Sequence, residues 1–255
     1  KSRVCGDLGT GRTMRKADVH AILTSRGWLA EIEPALASAF FASGRLVQLK
    51  RGGALYHPGD EAGGMFGIVE GGIAVSNIGR DGLPIAGHII RPCSWYGYAS
   101  IFNKQDRKLI ARANEPSRVL HIPLGELTRL RAEFPGAGSA LGRLAMRGEA
   151  MYLAIITDLL IANTDRRLAA VLLRVTGAET PDRPKDAPID PAADPWAGTT
   201  GVPLTQAMLG ELANASPHTV ARFVERAVKA GLIAWKYRRV RVLDFERLLA
   251  FAAGL

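Results

Sequence analysis

Cysteine is scarce in this chain: 255 residues hold two, Cys5 and Cys93. Two thiols cannot build a disulfide framework, a four-thiolate zinc site or a four-cysteine iron–sulfur site. Long apolar runs are missing too, with no uninterrupted stretch near the roughly 18 residues that suggest a membrane span. The N-terminal KSRVCGDLGTGRTMRK lacks the apolar centre of a secretory signal. These absences predict a cytoplasmic protein with no membrane partner. Acidic residues are also in deficit, 24 against 33 basic, for a formal charge of +9. What remains is ordinary for a globular protein: 47% hydrophobic and 22% charged residues, too apolar for a disordered chain. A core of useful size can be buried without a metal or disulfide staple.

The excess charge is unevenly spread. Residues 204–255 carry 8 basic and 4 acidic side chains, whereas 177–203 carry 2 and 5. A basic body favours a polyanionic partner, nucleic acid before an anionic membrane.

Hydrophobic periodicity divides the chain. Residues 1–26 show no clear repeat and are expected to form an arm. From Gly27 the stretch GWLAEIEPALASAFFASG repeats apolar residues at helical spacing (Leu29, Ile32, Leu36, Phe40). Between Arg45 and Pro123 the texture changes to short strands: RLVQLK, MFGIVE, GIAVSNI, IAGHII, LIARA and RVLHIP. Turns at HPGD, EGG and RDG separate them. The α+β expectation is therefore an antiparallel β-roll or jelly roll over 27–134. His57, His88 and His121 lack the close spacing of metal ligands and are read as structural, so no metal site is assigned. Cys93 is read as an inert buried thiol rather than a redox switch.

Residues 135–164 predict one long helix with two apolar faces. Leu141, Leu144, Met151 and Ile155 form a 3-4 seam, and Ala145, Tyr152, Ile156 and Leu159 form the other face. A helix of this length after a compact β-domain is expected to dimerise, with one face on its own domain and the first seam on a second copy. Residues 165–203 combine a helix, DRRLAAVLLRV, with a linker that holds five prolines over 177–202.

The segment 204–255 carries the strongest signal. Thr205 can cap a first helix, Asn214 suits a left-handed turn, and Ser216 can cap a second helix with Pro217 at its first position. Val220, Phe223, Val224 and Ala227 form the buried stripe of that helix, leaving Pro217, His218, Thr219, Arg222 and Arg226 outward. After Gly231, LIAWKYRRVRVLD reads as two strands around a basic tip. Two short helices joined by a tight turn, then a strand pair, predict a winged helix-turn-helix that reads DNA.

The order of these parts resembles the Crp/Fnr family of bacterial transcription regulators. The strings that carry the resemblance are YHPGDEAGGMFGIVEGGIAVSN, DRRLAAVLLRV and LTQAMLGELANASPHTVARFVERAVKAGLI. The resemblance implies a roll like a cyclic-nucleotide-binding domain and a homodimer on a near-palindromic double-stranded operator, with half-sites about 34 Å apart. RNA polymerase becomes a candidate further partner.

Carried over residue by residue, the base-reading positions fall on Pro217, His218 and Arg222. The family commonly has Arg and Glu at the first two, so the operator should differ from the usual one. Ser216, Thr219, Arg226, Lys236 and Arg238 are expected to hold phosphates, and Thr205 and Gln206 complete the DNA-facing set. In the roll, Gly97 and Arg107 match the family's cyclic-AMP pocket. Tyr98 replaces its ribose-binding Glu, and Lys108 replaces a small hydroxyl residue. Loss of the carboxylate argues against cyclic AMP, so no cofactor is assigned. Either Tyr98 fills the pocket, or Tyr98, Arg107 and Lys108 take a different anion. A ligand, if one acts, would shift the hinge near Asn163–Thr164. The rivals are a cupin-like metal enzyme, which needs clustered ligands, and an architectural DNA binder without sequence preference; the reading here is not an enzyme.

Overall fold

The computed structural model describes residues 14–103, 105–177 and 201–255. Most of the proline-rich linker, at 178–200, and the first half of the expected arm lie outside the described residues. The chain forms two compact units, Lys1–Pro84 with Ile89–Ala150, and Ile85–His88 with Met151–Leu255.

The first unit is built on eight short strands: β1 (Arg45–Leu49), β2 (Ala54–Tyr56), β3 (Gly64–Glu70), β4 (Ile73–Ile78), β5 (Pro84–Ile90), β6 (Trp95–Tyr96), β7 (Ile110–Ala113) and β8 (Ser117–Pro123). They form two four-stranded sheets, ordered β1-β8-β3-β6 and β2-β7-β4-β5. The antiparallel roll expected from the turn spacing is present.

β3 is buried on both faces because its side chains alternate between two cores. Phe66 and Ile68 meet Leu55, Tyr56, Ile73, Val75 and Val119 between the sheets. Met65 and Val69 point the other way, into a helical layer. That layer comprises α1 (Lys16–Thr24), a 3₁₀ turn at Trp28–Ala30, α2 (Pro34–Ala42), α4 (Leu124–Glu133) and the start of α5 (Ala137–Leu160); a short α3 (Ala99–Asn103) follows β6. Trp28 anchors the layer. Its ring packs edge-on to Phe40 and Trp95, at 5.1 and 5.4 Å, and its Nε1 donates to the Ala140 carbonyl at 2.6 Å.

Three expectations need correcting here. The arm is helical over 16–24, because Val19 and Leu23, four residues apart, are buried in the helical core. The helix expected from Gly27 is split, since Pro34 is accommodated only at the first turn of a new helix. Most important, Leu141 and Leu144 are fully buried in their own unit and are unavailable to a second copy. Met151 and Ile155 are half-buried. The apolar side chains that α5 leaves exposed are Met146, Tyr152, Leu153, Ile156, Leu159 and Leu160. Met146, Leu153 and Leu160 recur every seven residues, so they stay on one side of the helix while the 141/144 positions turn inward.

The second unit begins within α5 and continues through α6 (Thr164–Thr176), β9 (Val202–Pro203), α7 (Gln206–Ala213), α8 (Pro217–Lys229), β10 (Ile233–Lys236), β11 (Arg239–Val242) and α9 (Phe245–Ala253). Every residue of α6 from Leu168 to Val175 is buried. Arg174 is among them. It donates from Nε to Asp158 at 2.6 Å and from Nη1 to Nδ1 of His88 at 3.0 Å. A guanidinium has only donors, so that imidazole nitrogen must accept. Asp158→Asn would leave the buried cation without its counter-charge, and a loss of about 3 kcal/mol is expected in urea denaturation.

His121 supplies a pH test for the first unit. It stacks on Phe66 at 4.7 Å, meets the Gly63 carbonyl through Nε2 at 2.9 Å and takes a bond at Nδ1 from Arg45 at 3.4 Å. Burial pushes its pKa below the usual 6.5, and Arg45 and Arg107 push the same way against the Gly63 bond. The folded unit therefore holds the neutral ring, while the unfolded chain takes up the proton near its ordinary pKa. Stability should fall as pH drops below about 6.5. His121→Gln should flatten that slope in urea midpoints measured across the range.

Candidate nucleic-acid interface

The helix-turn-helix is held at its ends by side chains that replace missing helical hydrogen bonds. Thr205 accepts from the Met208 amide at 3.0 Å, and Ser216 accepts from the Thr219 amide at 3.2 Å. Pro217 occupies the first position of α8, where no amide is needed. Asn214 adopts φ 47°, the left-handed conformation that the turn requires. Beneath the turn, Arg167 of α6 donates to the carbonyls of Ala213 at 2.7 Å and Asn214 at 3.3 Å. Its neighbour Arg166 does the same for α9, reaching Ala252 and Ala253 at 3.1 and 2.6 Å. Both arginines satisfy carbonyls at a helix C-terminus, where the helix dipole also favours positive charge.

α8 is divided into two faces. Val220, Phe223, Val224 and Ala227 are buried; Pro217, His218, Arg222 and Arg226 are exposed, and Thr219 is half-exposed. Gln206 is exposed at the start of α7. β10 and β11 pair antiparallel with Lys236 opposite Arg239, leaving Tyr237 and Arg238 as a two-residue turn. Both adopt positive φ, 46° and 66°, the conformation of a type I′ hairpin that glycine or asparagine usually fills. Tyr237 is 87% exposed at that tip, and Lys236 lies 5.6 Å from its ring. The wing thus presents an aromatic ring and two exposed cations, Lys236 and Arg238.

The expected phosphate contacts divide. Ser216, Thr219, Lys236 and Arg238 lie on the exposed side of the helix or wing. Arg226 is already engaged: its Nη2 donates to Asp165 at 2.5 Å and its Nε to the Arg222 carbonyl at 3.3 Å.

In the roll, Gly97 and Arg107 come together, but around each other. Arg107 is buried and donates to the carbonyls of Gly97 at 2.8 Å and Gly64 at 2.5 Å. Its guanidinium lies 4.5 Å from the centre of the Tyr56 ring. Burial pulls its pKa below arginine's usual value, with Tyr56, Tyr96 and Asp60 opposing. Gly97 sits at φ 85°, and a Cβ there would stand 3.1 Å from the Arg107 Nη1. Tyr98 packs against the helical core, edge-on to Tyr96. A Cβ at Gly148 on α5 would lie 1.4 Å from the Tyr98 hydroxyl, so that phenol reaches the α5 backbone only because position 148 is glycine. Lys108 points outward to solvent. The three histidines stand apart: His57 is in a turn whose amide donates to Asp60, His88 meets Arg174, and His121 stacks on Phe66.

Two family profiles match this chain, the cyclic nucleotide-binding domain over residues 46–134 and the Crp-like helix-turn-helix domain over 166–251. The chain belongs to the Crp/Fnr family. Solved structures of Crp/Fnr-type regulators share its fold at low identity. FixK2 from Bradyrhizobium japonicum superposes with a TM-score of 0.65 at 14% identity, covering 80% of this chain and 95% of its own. A Crp-family transcriptional regulator from Thermus thermophilus gives 0.60 at 22%, covering 82% and 97%. The c-di-GMP responsive regulator CLP of Xanthomonas campestris gives 0.59 at 16%, covering 82% and 99%. No curated protein sequence matches the chain. No helix among the described residues is long and apolar enough to cross a membrane.

Within this Crp/Fnr framework, sequence reasoning missed two things. Asp165 carries no local signal of its role, because its partner Arg226 lies 61 positions away. The Tyr98–Gly148 approach needs coordinates. The exposed α5 face includes Tyr152, Ile156 and Leu159, which the sequence places on the helix's other apolar side; periodicity alone does not say that this side, with Met146, Leu153 and Leu160, is the one left outside.

Arg107 yields a direct test of the roll's internal wiring. Arg107→Ala removes the donor to two buried carbonyls and should cost about 1–3 kcal/mol in chemical denaturation. Lys108→Ala, at an exposed position, should leave the same curve within about 0.5 kcal/mol.

Proposed function

We propose that this protein is a sequence-specific transcription regulator that binds double-stranded DNA as a homodimer in the cytoplasm. It is a regulator rather than an enzyme, and its roll is not adapted to cyclic AMP. The observation that carries the reading is α8: a Ser216-capped helix that buries one apolar stripe and leaves Pro217, His218 and Arg222 outward. Arg222 is the residue best suited to a bidentate contact with guanine O6 and N7, and Pro217 can only pack, for instance on a thymine methyl. Ser216, Thr219, Lys236 and Arg238 supply phosphate contacts that position the helix without reading sequence. Dimerisation is supported by the exposed apolar face of α5, from Met146 to Leu160, which takes over the role expected of Leu141 and Leu144. RNA polymerase fits as a further partner of a regulator bound this way.

The roll supports the absence of cyclic-AMP control on two counts. Arg107, the phosphate-matching residue, has its donors on Gly97 and Gly64 carbonyls. Tyr98, in the ribose-matching position, is an aromatic packed on the core and has no carboxylate to accept from sugar hydroxyls. Cyclic AMP should therefore give no binding heat and leave DNA affinity unchanged; a saturable isotherm would reverse this part.

Selection of bound sequences from a random duplex pool tests the main claim. A two-fold symmetric consensus is expected, whereas absence of enrichment would make the protein an architectural binder. Arg222→Ala should cost about 1–3 kcal/mol of discrimination at one base pair per half-site. Lys236→Ala should weaken all duplexes alike and flatten the salt dependence. Identical behaviour of the two variants would remove Arg222 from base readout.

A further inference from the structure

The Asp165–Arg226 pair stands where the DNA-facing residues converge. Asp165 is the second residue of α6, and Arg226 lies ten positions into α8. Together with Asn163, Thr164, Thr219 and Arg222 they line a cleft of about 230 Å³. The carboxylate therefore shares a surface with Arg222, assigned to base readout, and with Thr219, assigned to phosphate. The pair is only partly sheltered, with side-chain exposures of 54% for Arg226 and 26% for Asp165.

A carboxylate in such a place has two electrostatic consequences. Bare, it would repel the phosphate backbone that Thr219 approaches. Paired, it consumes a cation that would otherwise neutralise a phosphate. The second bond of Arg226, to the Arg222 carbonyl, keeps its guanidinium along the axis of α8 and close to Asp165.

We propose that Asp165 tunes the affinity of this surface: it acts as an internal substitute for phosphate, holding Arg226 out of the backbone contacts. This lowers sequence-independent affinity while leaving Arg222 free to read bases. The idea rests on the DNA-binding reading above. Non-specific affinity depends on the number of phosphates neutralised, and each one contributes a slope of about −0.9 to the logarithmic salt dependence. Removing one cation per protomer from that count weakens binding to every sequence by the same factor, so the ratio between operator and bulk DNA is unchanged while total affinity and its salt dependence both fall.

The test measures binding of the full-length protein to a short random-sequence duplex across a salt series. Asp165→Asn keeps the shape of the side chain and removes its charge, and Asp165→Ser is a second variant accepted in a first helical turn. Each should bind more tightly at low salt. Across a fourfold rise from about 50 to 200 mM salt, each should lose about 12-fold more affinity than the parent dimer, from two extra contacts. Arg226→Ala should weaken binding by exposing the carboxylate, and Asp165→Asn with Arg226→Ala should return the parent slope. If the parent binds but the Asp165 variants keep its slope, or bind more weakly with a shallower one, the inference is overturned and the DNA reading stands. If the parent binds no duplex even at low salt, the DNA reading itself is overturned.

Discussion

The helix-turn-helix half of this molecule depends on a buried helix whose first turn supplies the ends of its neighbours with donors. α6 contributes an apolar body, Leu168 to Val175, to the core of its unit. Ahead of that body, Arg166 and Arg167 cap α9 and α7 by donating to C-terminal carbonyls. An arginine serves here because its planar fork can satisfy several acceptors while its stem packs along apolar surface. The turn between α7 and α8 is thereby tied to a rigid element rather than left to its own short loop. With the turn held, the Ser216 cap and Pro217 set the start of α8, and the side that Arg222 occupies follows from helical periodicity alone.

That dependence explains what could be read from the amino acids and what could not. Caps, turn residues and amphipathic stripes are local signals, so Thr205, Asn214, Ser216 and the buried stripe of α8 were legible directly. The short apolar runs of β3 and β8, bounded by turn residues, likewise announced the roll. Residues defined by partners far along the chain were not legible. Asp165 looks like any acid favoured near a helix N-terminus, and only the folded unit brings it to Arg226. β2 and β6, three and two residues long, are too short for alternation to register.

The α5 helix shows a subtler failure. Both of its faces are apolar, and periodicity finds two stripes without saying which one the β-domain takes. The seam at 141/144 meets the core begun by Trp28 and Phe40, so it is spent within the chain. The stripe from Met146 through Leu153 to Leu160 is left for outside use because its Cβ atoms point away from that core. A seven-residue repeat maintains such a stripe along a helix, whereas the inner seam is fully buried only at 141 and 144 and half-buried at 151 and 155.

The roll adds a different kind of constraint. Arg107 serves as an internal strut, stacked on Tyr56 and bonded to the loops at Gly64 and Gly97. Tyr98 meanwhile leans on α5 at Gly148. If the roll is filled by its own side chains and answers to no metabolite, copy number becomes the remaining input. Synthesis and proteolysis would then govern how many paired chains exist, and while most chains are single and the target is far from full, its occupancy would rise as the square of the amount made.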